Sequence, residues 1–180
     1  MDQLVLQQIK NELINGSVKR GHPFKYFTLS TLWKGKPRQR TVVLRKVQPD
    51  LQLLFYTDKR SAKVEHIKKN PSISSLFYHP KKMIQIQIEG SATVSEHPEM
   101  LRTIWNSIPD KGKRDYTTVQ PPGATAERPE HIEYLKQENY FCMVTIQPTR
   151  IEYLKLNQPH HLRVQFQKIG DTWDGTFLIP

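Results

Sequence analysis

Between Arg40 and Lys63 the chain gathers cations and hydroxyls at element ends. The stretch reads as a strand (R-T-V-V-L-R, 40–45), a turn at Pro49-Asp50, a second strand (L-Q-L-L-F-Y-T, 51–57) and the opening of a helix (S-A-K, 61–63). Arg40, Arg45, Lys59, Arg60 and Lys63 cluster at the ends of these elements. Ser61 stands where the helix begins, and a helix start attracts phosphate because its first N–H groups lack partners and its dipole is positive there. Thr57 adds a second hydroxyl, after Tyr56, at the close of the second strand. Cations and hydroxyl donors converging on one point are what binding of a dianion requires. The same charges also suit a solvated basic surface. Arg40 and Arg45 are five apart, so on an ideal strand they face opposite sides, and both reach one ligand only where the strand twists or bulges.

Other chemistries lack their residues. Histidines 22, 66, 79, 97, 131, 160 and 161 show no metal-ligand spacing with cysteine or carboxylate, so no metal is expected. Cys142 lies in the apolar run F-C-M-V-T-I and reads as core, not nucleophile. There is no G-x-G-x-x-G, no phosphate-binding P-loop and no G-x-S-x-G.

The elements that must position the cations alternate and turn often. Leu6, Ile9 and Leu13 have helical spacing, so an amphipathic helix is expected over 2–15, capped by Asp2 and stopped at Gly16. Phe24 to Trp33 and Arg38 to Val47 read as strands around the turn Lys34-Gly35-Lys36-Pro37. The 40–45 and 51–57 strands are expected to pair as an antiparallel hairpin. A short helix over 61–69 must stop before Asn70-Pro71. Ser72 to Tyr78 follows as a strand. Met83 to Val94 is the clearest strand: Ile84, Ile86 and Ile88 alternate with Gln85, Gln87 and Glu89. A helix opens at His97-Pro98 and runs through Ser107. The proline-rich stretch 109–129 reads as a loop-rich insertion. A helix over 129–138 and strands over 141–146, 150–157, 162–167 and 173–179 complete the chain. Roughly eight or nine strands with three or four short helices imply a mainly β (α+β) barrel with peripheral helices.

The chain has 180 residues, with 27 Lys and Arg against 17 Asp and Glu, a net charge of +10. That length suits a single domain over 1–180, and that charge favours anionic partners. The tyrosines and basic residues suggest a nucleic-acid surface, but no nucleic-acid-binding module matches the sequence. One cysteine excludes an intrachain disulfide and suits a cytoplasmic location. No apolar run reaches membrane-spanning length.

The ordered set R-T-V-V-L-R (40–45), F-Y-T (55–57), S-A-K (61–63), N-P (70–71) and Q-I-Q-I-E-G (85–90) resembles the pyridoxamine 5′-phosphate oxidase family, FMN-binding split β-barrels. I-E-Y (151–153) and W-D-G-T-F-L-I-P (173–180) resemble its last strands. The resemblance implies an FMN cofactor, oxidoreductase chemistry and a homodimer with the flavin between subunits. It implies that Arg40, Ser61 and Lys63 hold the flavin phosphate. It also implies that the backbone of Thr41, Val42, Val43 and Leu44 lies along the ring, with Arg45 near the ring's polar edge. Gln85 matches the glutamine that hydrogen-bonds the ring. Arg163 in H-H-L-R (160–163) matches the last arginine of the segment R-x-H-D-R, and His161 its substrate-binding histidine.

Four departures stand out. Ala62 replaces the arginine of S-R-K, with Arg60 adjacent. Pro159 replaces a substrate-binding arginine, with Lys113 and Arg114 of the 109–129 loop as substitutes. Phe177 replaces the arginine of the terminal R-L-x-P, and Leu154 stands at the family's tryptophan. The cofactor half of the signature is better kept than the substrate half. A flavin enzyme with a substrate other than pyridoxamine phosphate is therefore expected. The alternative is a protein that binds FMN, another phosphate ligand or a tetrapyrrole without turnover.

Overall fold

A computed structural model describes residues 2–180. Helix α1 (Asp2–Val18) precedes strands β1 (Tyr26–Trp33), β2 (Lys36–Val43), β3 (Lys46–Val47) and β4 (Leu53–Asp58). Helix α2 (Ala62–Lys69), strands β5 (Ser72–His79) and β6 (Ile84–Val94), and helices α3 (Pro98–Ser107) and α4 (Asp110–Lys113) follow. Strands β7 (Phe141–Lys155), β8 (Leu162–Ile169) and β9 (Thr172–Leu178) end the chain. Among the described residues the strands form one antiparallel sheet in the order β2-β1-β5-β6-β7-β4-β3, with β8 and β9 added beside β7. The sheet curls into a split β-barrel.

The alternation legible in β6 sets the two faces. Ile84, Ile86 and Ile88 are buried in one core with Phe27, Phe55, Phe77, Val144, Tyr153 and Phe166. Phe27 and Phe77 stack at 4.6 Å between ring centroids. Burying each such side chain contributes about 1.5–3 kcal/mol. Val5, Ile9 and Leu13 seat α1 on this core.

Helix α1 outruns the expected stop. Gly16 is a packing residue inside it: a Cβ there would lie 2.6 Å from Phe24 Cβ. The chain turns at Gly21, with φ of 76°, and Lys25 Nζ caps the helix end by donating to the Ser17 carbonyl at 2.8 Å.

The expected hairpin does not form. β2 pairs along its whole length with β1, and only Lys46 and Val47 pair with β4. Leu44 and Arg45 break the strand, and the chain crosses there from one sheet edge to the other: Leu44 N–H donates to Lys25 and Arg45 N–H to Leu54, each at 2.9 Å.

The strands expected at 141–146 and 150–157 are one strand, β7. Its first half pairs with β4 and its second with β8, while β6 runs beside both. Pro148 sits inside β7 because the register shifts between Glu89 and Gly90 at that point, where a proline's missing N–H is tolerated.

The helix expected over 129–138 is one 3-10 turn, Pro129–His131. The chain beyond it pairs with the 117–119 segment, with Leu135 N–H donating to Thr117 at 2.7 Å. A helix with so few buried apolar positions gains too little packing to offset nucleation.

Candidate functional site

Two cations of the opening stretch, Arg40 and Lys63, come together at the start of α2. β4 ends at Thr57 and Asp58, a turn follows, and Ser61 stands at the N-cap of α2. Thr57 Oγ1 lies 3.3 Å from Ser61 Oγ and accepts from Lys63 Nζ at 3.0 Å. Both hydroxyl residues are buried. Burial, and then the charge of Arg40 beside it, pull the Lys63 pKa below the usual lysine value. Burial likewise lowers that of Arg40. Arg40 donates to the Leu29 carbonyl at 3.3 Å and to Thr31 Oγ1 at 2.8 Å. Among the described residues no carboxylate lies within ion-pair distance of Arg40 or Lys63. Two neighbouring, half-buried cations beside two hydroxyls and a helix start have the composition that binding an anion requires. These residues fit a flavin phosphate.

The strand expected along the flavin ring has a free edge, because β2 ends the strand order. Val42 and Leu44 are buried in the core, while Thr41 is exposed and Val43 half-buried on the opposite face. On that outer face one row of paired residues runs Tyr78, Gln85, Leu154, Arg163 and Leu178. Gln85 and Arg163 therefore share a face with Leu154 between them. Arg163 is engaged there, donating to Glu152 Oε1 at 3.0 and 2.8 Å. Glu152 is also paired with Arg150, which reaches Glu89 and Gln165.

Arg45, Tyr56, Arg60 and His161 each make contacts of their own. The strand break sends Arg45 over the ring of Tyr56, at 5.3 Å. Tyr56 packs edge-on against Phe141, at 5.1 Å, and burial raises its pKa. Arg60 does not stand in for the arginine missing at Ala62. It pairs with Asp58 at 2.8 Å, lies 3.2 Å over the Tyr140 ring and donates to the carbonyls of Thr118 and Val119. It therefore ties the 109–129 segment to the start of α2. Lys113 and Arg114 of that segment are likewise engaged, over Trp105 and Tyr134. A cavity of about 700 Å³ is lined by residues of the stretch 114–134, and neither Arg40 nor Lys63 lines it. His161 accepts the N–H of Asn157 at 3.1 Å and is exposed, which makes it a turn former.

The sequence reading missed Thr31 and His66. Thr31 was legible as the next core-facing position after Phe27 and Leu29. His66 carried no such signal. It also missed Glu12, His22 and His79, whose potential ligand atoms lie within 4.8 Å of one another. Each histidine accepts a backbone N–H at Nδ1, from Phe24 and Lys82 respectively. That leaves the proton of a neutral ring on Nε2, where a cation would need a lone pair. Lys82 also ion-pairs with Glu12. The group ties α1 to the end of β5.

The family model for the pyridoxamine 5′-phosphate oxidase FMN-binding domain matches residues 3–96. The chain belongs to this family. FMN is the family's cofactor and the cofactor of this chain. A pyridoxine/pyridoxamine 5′-phosphate oxidase of Chromobacterium violaceum is 41% identical over 58 residues, 32% of this chain and 27% of that protein. One from Haemophilus influenzae is 23% identical over 97% of this chain and 87% of that protein. The first curated relatives are matched over only about a third of their length or less.

Solved structures share the fold over nearly the whole chain. A pyridoxamine 5′-phosphate oxidase-related, FMN-binding protein from Nostoc punctiforme superposes with a TM-score of 0.78 at 22% identity, covering 97% of this chain and 96% of that one. PhzG from Burkholderia lata, in complex with tetrahydrophenazine-1-carboxylic acid, gives 0.79 at 20% identity, covering 98% and 92%. Among the described residues no helix is long and apolar enough to cross a membrane.

Proposed function

We propose that this chain is an FMN-dependent oxidoreductase that works as a homodimer on a small anionic substrate other than pyridoxamine 5′-phosphate. The observation that carries the reading is the pair Arg40 and Lys63, held beside Thr57 and Ser61, with no carboxylate among the described residues in ion-pair contact with either. When bound, FMN supplies the hydride chemistry, and the protein supplies binding and orientation. Arg40, Lys63, Thr57 and Ser61 grip the phosphate. The free edge of β2 offers backbone donors and acceptors along Thr41 to Leu44, and Gln85 offers an amide to the ring.

The dimer follows from the outer face. Tyr26, Leu76 and Tyr78 are 62%, 39% and 50% exposed there, beside Gln85 and Gln87. Exposed aromatic and apolar side chains around a polar row are typical of a covered surface. Light scattering at micromolar concentration is expected to give a dimer, and a monomer that retains FMN would contradict it.

The substrate proposal rests on charge. A buried substrate phosphate needs paired cations. Pro159 has none to offer, His161 is spent on a turn, Phe177 is apolar, and Lys113 and Arg114 are engaged elsewhere. The relative PhzG was solved with a carboxylic acid, which supports an anion of another kind. The test is single-turnover reduction of bound FMN by pyridoxamine 5′-phosphate without oxygen. The flavin is expected to stay oxidised. Bleaching at about 1 per second or faster would overturn the substrate assignment.

A further inference from the structure

Arg40 is held from behind by two residues that no flavin would touch. Thr31, on the core-facing side of β1, is 1% exposed. Its hydroxyl accepts from Arg40 at 2.8 Å and lies 2.9 Å from Nδ1 of His66 on α2. A guanidinium can only donate, so it takes a lone pair of Thr31. The hydroxyl proton then needs an acceptor, and His66 Nδ1 is the one in reach. His66 is itself 5% exposed and cannot easily turn. The Trp33 indole stacks on its ring at 4.8 Å and 20°, and Lys69 covers that indole at 4.5 Å.

We propose that His66 is a positioning residue for the cofactor phosphate, fixing the Arg40 guanidinium beside Lys63 through the Thr31 hydroxyl. The proposal rests on reading Arg40 and Lys63 as the phosphate site. Around His66 stand Arg40, Arg38 and Glu65 as charged groups. Burial first, and then Arg40, hold its pKa below the usual histidine value, which keeps Nδ1 free to accept. An arginine so tethered meets the phosphate without first losing side-chain freedom, which otherwise subtracts from affinity. The helix whose N-terminus faces the anion thereby also aims the arginine on the other wall.

The test uses deflavinated full-length protein titrated with FMN and with riboflavin by fluorescence quenching. His66→Phe keeps a ring against Trp33 and removes the acceptor nitrogen. FMN affinity is expected to fall about tenfold, with riboflavin affinity unchanged. Thr31→Val is expected to give the same loss, and the double variant no more than either alone, as for two members of one relay. His66→Asn, whose amide oxygen can accept in place of Nδ1, is expected to keep most of the preference for FMN. Equal losses for both flavins would mark His66 as merely structural and overturn the proposal. So would an unchanged preference in both His66→Phe and Thr31→Val while Arg40→Ala abolishes it, an outcome that leaves the phosphate site standing. A preference unchanged in Arg40→Ala as well would overturn the phosphate site and the relay together.

Discussion

The ammonium of Lys63 lies 3.0 Å from the hydroxyl of Thr57, and that hydroxyl takes only one of its three N–H donors. The remaining donors and the neighbouring Arg40 leave the start of α2 positive, because Asp58, the carboxylate nearby, is paired with Arg60. Lys68, on the same helix, is exposed and paired with Glu96 at 2.6 Å. Lys63→Ala is therefore expected to weaken FMN about tenfold or more, the value of one charge-assisted contact. Lys68→Ala is expected to leave affinity unchanged. Calorimetric titration of both variants decides it, and equal affinities would remove the helix start from the site.

Arg60 is expected to act on the loop and not on the phosphate. Its guanidinium holds the carbonyls of Thr118 and Val119 while pairing with Asp58. Arg60→Ala should raise the rate of limited proteolysis within 117–125 several-fold, because local opening sets cleavage. FMN affinity should change less than in Lys63→Ala. A larger loss of FMN than in Lys63→Ala would place Arg60 at the phosphate.

Cys142 is expected to resist thiol reagents. Burial pushes its pKa from 9.0 up to about 11, so at pH 8 roughly one thiol in a thousand is ionised. A thiol whose folded pKa exceeds its unfolded value favours folding below the unfolded pKa and loses that advantage as pH rises through the folded one. Stability should thus fall between about pH 9 and pH 11, and fall less in Cys142→Ala. Urea midpoints across that range check the sign, and identical pH slopes in the two proteins would refute it.

Gly90 is expected to admit no side chain. A Cβ there would lie 2.1 Å from the carbonyl oxygen of Gln147, which is backbone and cannot swing aside. Gly90→Ala should cost about 3 kcal/mol or more, measured by urea unfolding. A loss below 1 kcal/mol would mean that β6 and β7 part easily where β4 gives way to β8.

What was legible in the sequence had local causes. The isoleucine alternation of β6, the serine at the start of α2 and the stop before Asn70-Pro71 each depend on neighbours a few residues away. Thr57, Ser61 and Lys63 lie within seven residues, so their convergence could be read from one turn and one helix start. Pairing could not. The partner of 40–43 is β1, because Val42 buries against the same core as Phe27 and Leu29, and hairpin spacing carries no information about that competition. Gly16 looked like a helix stop because its constraint is Phe24, eight residues on. The hold of Arg60 on the loop was not legible because Thr118 and Val119 stand 58 and 59 residues away. His66 was invisible for the same reason: its meaning lies in Thr31, on another strand.

Titration of the deflavinated protein with FMN and with riboflavin, side by side in one buffer, tests the phosphate site most directly. The two ligands differ only in the phosphate that Arg40, Thr57, Ser61 and Lys63 are placed to hold. FMN is expected to bind at least about a hundredfold more tightly, as two charge-assisted contacts of about 1.5–3 kcal/mol each would give. Equal affinity for the two flavins would contradict it.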